Sequence, residues 1–309
     1  MAQPRIVSLL PSATEIAVAL GLGESLVGRS HECDYPLFVK ALPVVTSTRL
    51  EKGLTSRQID DRIQEIVRQG LSVYEVDTAL LRDLRPDLIL TQSQCAVCAV
   101  TPADLEEALG DWIGTAPTLL SLAPDTLEDV WSDFAKVAEA AGIPERASSV
   151  VGDLKERMSG LSRSSAERMD RPRVAAIEWI DPLMAAGNWV PELIEAAGGH
   201  PLFARAGEHS SWLNWDDLIA ADPDLIVAMP CGYLLPQTLA DLGSLVDHFG
   251  WKDLTAVRKG KVFAVDGHHL FNRPDPRLVE SAELIAQLVG ATPTQALEMG
   301  RDWISIDGV

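Results

Sequence analysis

Four cysteines carry the most reactive side chains of this chain, and each follows a predicted strand. Cys33 follows Leu26–Ser30, in Ser30-His31-Glu32-Cys33-Asp34-Tyr35-Pro36. Cys95 and Cys98 follow Asp87–Thr91 as a Cys-x-x-Cys pair. Cys231 follows Asp224–Met229, in Pro230-Cys231-Gly232. Gly267-His268-His269 follows Lys261–Asp266 in the same manner. In open parallel α/β sheets, ligands bind outside the carboxyl ends of the strands. The cysteines therefore lie where a ligand or metal would be. Thiolates suit zinc and iron–sulfur clusters, and imidazole suits zinc, iron and cobalt. A metal or cluster site would use Cys33, Cys95, Cys98 and Cys231, with His31 or His268/His269 as substitutes. Two readings compete with it: a dithiol redox pair, and cysteines that act as small buried hydrophobes.

A second set is aromatic. Trp179 follows the strand Arg173–Glu178, Trp189 lies in Gly187-Asn188-Trp189, and Trp212 and Trp215 flank Leu213-Asn214. Indole faces make walls for a flat macrocycle, and Tyr35 and Phe271 would face them. The competing reading is core packing. His31, His268 and His269 offer axial ligands to cobalt or iron. In extended chain two adjacent side chains point opposite ways, so only one of His268 and His269 is expected at a site. Arg29 and Arg273 suit ligand carboxylates or phosphate, or local salt bridges with Asp34 and Asp275. Glu32, Asp34 and Glu178 sit at strand exits as acid–base groups or as helix caps.

These residues need elements to hold them, and strands alternate with helices along the chain. The first helix is predicted over Ala13–Leu20, with Ser12 to Glu15 at capping-box spacing. Further helices are expected over Asp77–Leu84, Thr126–Ala141, Val190–Ala197, Asn214–Ala221, Arg277–Val289 and Pro293–Met299. The βαβα rhythm predicts an α/β fold with central parallel sheets covered on both faces. Ala147, Val150, Val151, Leu154, Met158 and Leu161 form an apolar stripe along one long helix that interrupts the rhythm. The expected organisation is an N-terminal α/β lobe over 1–143 with an insertion near 49–76, a bridging helix over 144–171 and a C-terminal α/β lobe over 172–309.

Bulk properties exclude several classes. A net charge of −19 over 309 residues argues against a nucleic-acid partner. No apolar run approaches a membrane span. No phosphate loop, nucleophile elbow or zinc-protease motif is present. Met1 leads straight into a strand without a signal segment, so a cytoplasmic protein is expected if Met1 is the native start, and an extracytoplasmic one if a signal has been removed.

Several motifs together resemble the substrate-binding proteins for vitamin B12 and iron chelates. They are Arg5-Ile6-Val7-Ser8-Leu9-Leu10-Pro11-Ser12-Ala13-Thr14-Glu15, Asp34-Tyr35-Pro36, Leu84-Arg85-Pro86-Asp87-Leu88-Ile89, Ala221-Asp222-Pro223-Asp224-Leu225-Ile226 and Asn272-Arg273-Pro274-Asp275-Pro276-Arg277. The resemblance implies two Rossmann-like lobes joined by one long helix, with a ligand cleft between them. It implies a small-molecule ligand, cobalamin or a related metal chelate, delivered to an ABC importer without catalysis. Pro11, Ser12, Tyr35, Trp179, Trp189, Trp212, His269, Phe271 and Arg273 are the expected ligand contacts. The alternative is a cytosolic metalloprotein or iron–sulfur enzyme built on the same fold.

Overall fold

A computed structural model describes residues 3–69, 71–93, 100, 105, 116–166, 170–293 and 295–306. The chain divides into two compact units. One comprises Met1–Leu54, Gln58–Pro124 and Glu128–Gly152; the other comprises Thr55–Arg57, Asp125–Leu127 and Asp153–Val309.

In the N-terminal unit, strands β1 (Ile6–Ser8), β2 (Leu26–Arg29), β5 (Leu88–Gln92) and β6 (Thr118–Leu122) form a parallel sheet in the order β2-β1-β5-β6. All five residues of β5 are buried, as expected for a strand covered on both faces. Strands β3 (Thr46–Thr48) and β4 (Tyr74–Val76) pair antiparallel as a separate ribbon. The ribbon brackets the predicted insertion, whose helix α2 covers Ser56–Arg68. Helix α1 (Pro11–Ala19) starts two residues earlier than predicted. Pro11 supplies the start, because proline lacks the N–H that a first turn leaves unbonded. Ser12 is thus inside the helix and buried, and the capping box is not formed.

Helix α3 (Thr78–Leu84) is capped by the Asp77 carboxylate, which accepts from the Leu80 N–H at 2.9 Å. Asp77→Ala is expected to cost about 1 kcal/mol, the usual worth of such a cap. A urea midpoint unchanged from wild type would contradict this. Helices α4 (Leu127–Ala140) and α5 (Glu145–Ala166) follow, and the residues of α5 from Asp153 onward belong to the C-terminal unit.

The C-terminal unit has a seven-stranded sheet. Its centre is parallel: β7 (Arg173–Trp179), β11 (Leu225–Ala228) and β12 (Val262–Val265). Short strands extend it. They are β8 (Met184–Ala185), β9 (His200–Pro201), β10 (Ser211–Trp212) and the antiparallel edge strand β13 (Trp303–Ser305). Helices α6 (Val190–Ala196), α7 (Trp215–Ala221), α8 (Leu235–Asp241), α9 (Gly243–Val246), α10 (Thr255–Arg258) and α11 (Leu278–Leu288) complete the unit. Ile177, Ile226, Ala264, Leu218, Leu245 and Trp251 share one core cluster. The predicted helix Pro293–Met299 is absent among the described residues. Met299 instead bridges Trp303, and Trp303 packs edge-on against Phe263 at 5.7 Å.

The repeated Pro-Asp-Leu-Ile motif does the same work in both units. Arg85 and Asp222 end their helices in the left-handed region, at φ 45° and 41°, each just before a proline that cannot continue a helix. The following aspartate then anchors the first strand of its own sheet. Asp87 Oδ2 accepts from the Arg5 N–H at 2.8 Å, and Asp224 Oδ2 accepts from the Arg173 N–H at 2.9 Å. Both arginine side chains donate back to the helix-end carbonyls, Arg5 to Leu84 and Arg173 to Asp222 and Ala221.

Candidate functional site

The side chains with binding chemistry in the C-terminal unit gather at the carboxyl ends of β7, β11 and β12. The exits are tied together by backbone. The Cys231 N–H donates to the Glu178 carbonyl at 3.0 Å, and the His268 N–H donates to the Tyr233 carbonyl at 2.9 Å. The Asn272 amide donates to the Met229 carbonyl at 3.0 Å and to the Gly267 carbonyl at 2.8 Å. Tyr233 meets Trp179 edge-on, with ring centroids 5.6 Å apart. Trp179 is the last residue of β7 rather than the first of the loop. Burial and the Asp241 carboxylate push the Tyr233 phenol above its ordinary range, so it stays protonated.

The two adjacent histidines lie together, against expectation. Their rings are 4.8 Å apart at 79°. The expectation assumed extended chain, and the segment after β12 is a succession of turns. An Arg273 N–H meets His268 Nε2 at 2.6 Å. Arginine is a donor only, so His268 accepts there with a lone pair and carries its proton on Nδ1. His269 Nδ1 lies 2.8 Å from Asp266 Oδ2, and the His269 backbone N–H donates to Asp266 Oδ1 at 2.8 Å. Burial raises the Asp266 pKa, but the hydrogen bonds from the ring and the backbone of His269 outweigh it and hold it below the ordinary aspartate range. Arg273 is buried, and it meets His268, whereas Asp275 pairs with Arg277 at 3.7 Å.

Glu178 precedes Trp179 at the same exit. Ser210 Oγ donates to its Oε2 at 2.7 Å, and the Gly187 N–H donates to Ser210 Oγ at 3.0 Å. Burial raises its pKa to about 7, opposed by the bonds from Ser210 and Gly187.

The other aromatic candidates divide. Trp189 is buried, and its indole N–H donates to the Phe271 carbonyl at 2.7 Å. Phe271 is buried too. Both are interior packing, which corrects their reading as ligand walls. Trp212 is 62% exposed, and Trp215 stacks on His248 at 3.7 Å.

In the N-terminal unit, Pro11 is part-buried at the start of α1 and Ser12 is buried. Tyr35 is exposed, within a loop that also exposes Leu37 and Phe38. His31 is held by Thr46, whose Oγ1 lies 2.8 Å from Nδ1 and accepts the His31 backbone N–H at 3.0 Å. Burial and the Arg29 charge lower its pKa and keep it neutral. Arg29 donates to the carbonyls of Ser30 at 2.9 Å and Lys40 at 3.2 Å, so it organises this loop.

The cysteines are divided between the two units. Cys33 is buried in the N-terminal unit, where Thr14 Oγ1 lies 3.0 Å from its sulfur. Cys231 belongs to the C-terminal unit. Cys95 and Cys98 lie outside the described residues. The zinc or iron–sulfur reading, with Cys33, Cys95, Cys98, Cys231 and His31 as ligands, therefore finds no support.

Asp266, Tyr233, Ser210 and Asn272 were not singled out from the sequence. For Asp266 a signal existed: a carboxylate three residues before His269, at a strand exit.

A family model described as periplasmic binding protein matches residues 6–268. The vitamin B12-binding protein of Yersinia pestis (strain Pestoides F) is 26% identical over 301 residues, covering 96% of this chain and 90% of that protein. The crystal structure of the periplasmic vitamin B12 binding protein of Vibrio cholerae aligns with a TM-score of 0.66 at 21% identity, over 93% of this chain and 97% of that one. The periplasmic heme-binding protein of Roseiflexus sp. RS-1 in apo form aligns with a TM-score of 0.65 at 25% identity, again over 93% and 97%. These matches give no support to a cytosolic cluster enzyme. Among the described residues, no helix is long and apolar enough to cross a membrane.

Proposed function

Because the chain belongs to the periplasmic binding protein family, we propose that it binds a metal-centred tetrapyrrole reversibly, cobalamin foremost, and hands it to an ABC importer. The observation that carries this is the meeting of Trp179, Tyr233, His268 and His269 at one set of strand exits. Two aromatic rings offer the apolar area a macrocycle needs, and imidazoles offer donors for its metal. The names of the B12- and heme-binding relatives support the same class of ligand. Nothing in the constellation requires a chemical step. The Ser210–Glu178 bond leaves the serine donating to the carboxylate, yet no histidine is bonded to Ser210 among the described residues, so a relay to a nucleophile is not built.

Tryptophan fluorescence during titration with cyanocobalamin, aquacobalamin and ferric protoporphyrin IX tests the reading. Saturable quenching at one equivalent is expected with at least one of them. Trp179→Ala is expected to weaken binding about tenfold, near the upper end of what one aromatic contact contributes. Absence of saturable quenching by all three complexes would overturn the proposal.

A further inference from the structure

We infer that Asp241 is a positioning residue of the ligand site: together with Asp181 it clasps the segment Thr55–Arg57, and that clasp keeps the rings of Trp179 and Tyr233 in place for the ligand. The inference rests on the strand exits of the C-terminal unit being the ligand site. Helix α2 covers Ser56–Arg68, and its opening segment Thr55–Arg57 belongs to the C-terminal unit. The first N–H groups of a helix have no partner within it. Ser56 finds one outside, for its N–H donates to Asp241 Oδ2 at 2.8 Å. Ser56 is fully buried, so water does not stand in for that acceptor. A carboxylate in this place also meets the positive end of the helix dipole. The neighbouring Arg57 guanidinium pairs with the Asp181 carboxylate. Arg57 is 48% exposed and Asp181 34%, so this second hold is the weaker of the two.

Both carboxylates bear on the aromatic rings. The Tyr233 hydroxyl lies 3.5 Å from the same Asp241 Oδ2 that takes the Ser56 N–H. The phenol keeps its proton and is therefore the donor. A carboxylate oxygen has two lone pairs and serves both groups. At 2.8 Å the Ser56 bond is the shorter, so it fixes the direction of the carboxylate on which Tyr233 depends. Asp181 follows Trp179 by two residues, and Trp179 meets Tyr233 edge-on. Release of the segment frees the Asp241 side chain to turn, and Tyr233 loses its partner.

Docking of the segment and contact of a ligand with the two rings then favour each other, each by the same factor. A helix cap that takes no part in binding has no such link. Asp77, which caps α3 in the N-terminal unit, is that control.

The test reads affinity, amide exchange and stability on the full chain. The probe is whichever of cyanocobalamin, aquacobalamin and ferric protoporphyrin IX quenches wild type most. Saturating probe is expected to slow hydrogen exchange across residues 54–60 about fivefold in wild type, the low end of a typical coupling. Asp241→Ala should raise Kd roughly tenfold and abolish that slowing. Asp241→Asn keeps an acceptor oxygen for Ser56 and should recover most of the affinity. Arg57→Ala should raise Kd about threefold, as an exposed pair allows. Asp77→Ala should lower the urea midpoint and leave Kd and the exchange of 54–60 as in wild type. Wild-type affinity in both Asp241→Ala and Arg57→Ala, or exchange that the probe leaves unchanged in wild type, overturns the inference and leaves the binding reading standing. If Asp241→Ala fails to fold, Arg57→Ala and the wild-type exchange decide. No quenching of wild type by any of the three overturns both.

Discussion

Glu178→Gln is expected to stabilise the protein at pH 8 by about 2 kcal/mol and to leave it nearly unchanged at pH 4. The cause is the enclosure of Glu178 behind the Ser210 loop, which raises its pKa to about 7. In the unfolded chain this glutamate loses its proton near its ordinary value of 4.5. Between those two pH values the folded state holds a proton that the unfolded state has released. Stability therefore falls as pH rises through this window and levels off above it. A full shift of this size is worth about 3 kcal/mol. The residue is only part-buried, so water offsets some of the penalty and about 2 kcal/mol is the expected difference. Glutamine keeps an acceptor oxygen for Ser210 and removes the ionisation. Urea midpoints of the two proteins, measured from pH 4 to pH 8, give the answer as a difference, in which other titrating groups cancel. Parallel curves would mean that Glu178 ionises normally.

The alternation of strands and helices was legible because each central strand is a short apolar run bounded by turn residues. The Pro-Asp-Leu-Ile pair was legible as a repeat, though its reason was not. The reason lies in Asp87 and Asp224 reaching the backbone of Arg5 and Arg173, 82 and 51 residues away. Strands of two residues, such as Met184–Ala185 and Ser211–Trp212, have no periodicity to read. Proline at 293 suggested a helix start, but the edge of the sheet took that segment through Met299 and Trp303. At the site, residue type was a good guide and residue direction was not. A histidine, a tyrosine or a cysteine at a strand exit is visible in sequence, while its partner is set by the loop. Trp189 shows the limit: its aromatic face suggested a ligand wall, yet its N–H is bonded to the Phe271 carbonyl within the interior. His268 and His269 show the converse, since a turn brings together two rings that extended chain would separate.

Gly267→Ala is expected to destabilise the protein by about 2 kcal/mol, within the usual range for overpacking a filled site, and to weaken ligand binding as well. A β-carbon on Gly267 would fall on the Pro230 carbonyl oxygen and lie 2.9 Å from the Met229 carbonyl carbon and oxygen. That is backbone, which cannot rotate away as a side-chain tip can. The exits of β11 and β12 would have to separate, but the Asn272 amide spans both of them and the His268 N–H is bonded to Tyr233. Separation breaks those bonds and moves His268 and His269 away from Trp179 and Tyr233. Gly232 on the neighbouring exit is the control. It has φ +77° and nothing within 4 Å of a β-carbon. Gly232→Ala therefore meets only the left-handed backbone penalty, about 1 kcal/mol, and should bind ligand as wild type does. Urea midpoints and the quenching titration on both variants separate the two effects. If Gly267→Ala matches Gly232→Ala in affinity, the two exits move independently, and their close packing does not hold the histidines in place for the ligand.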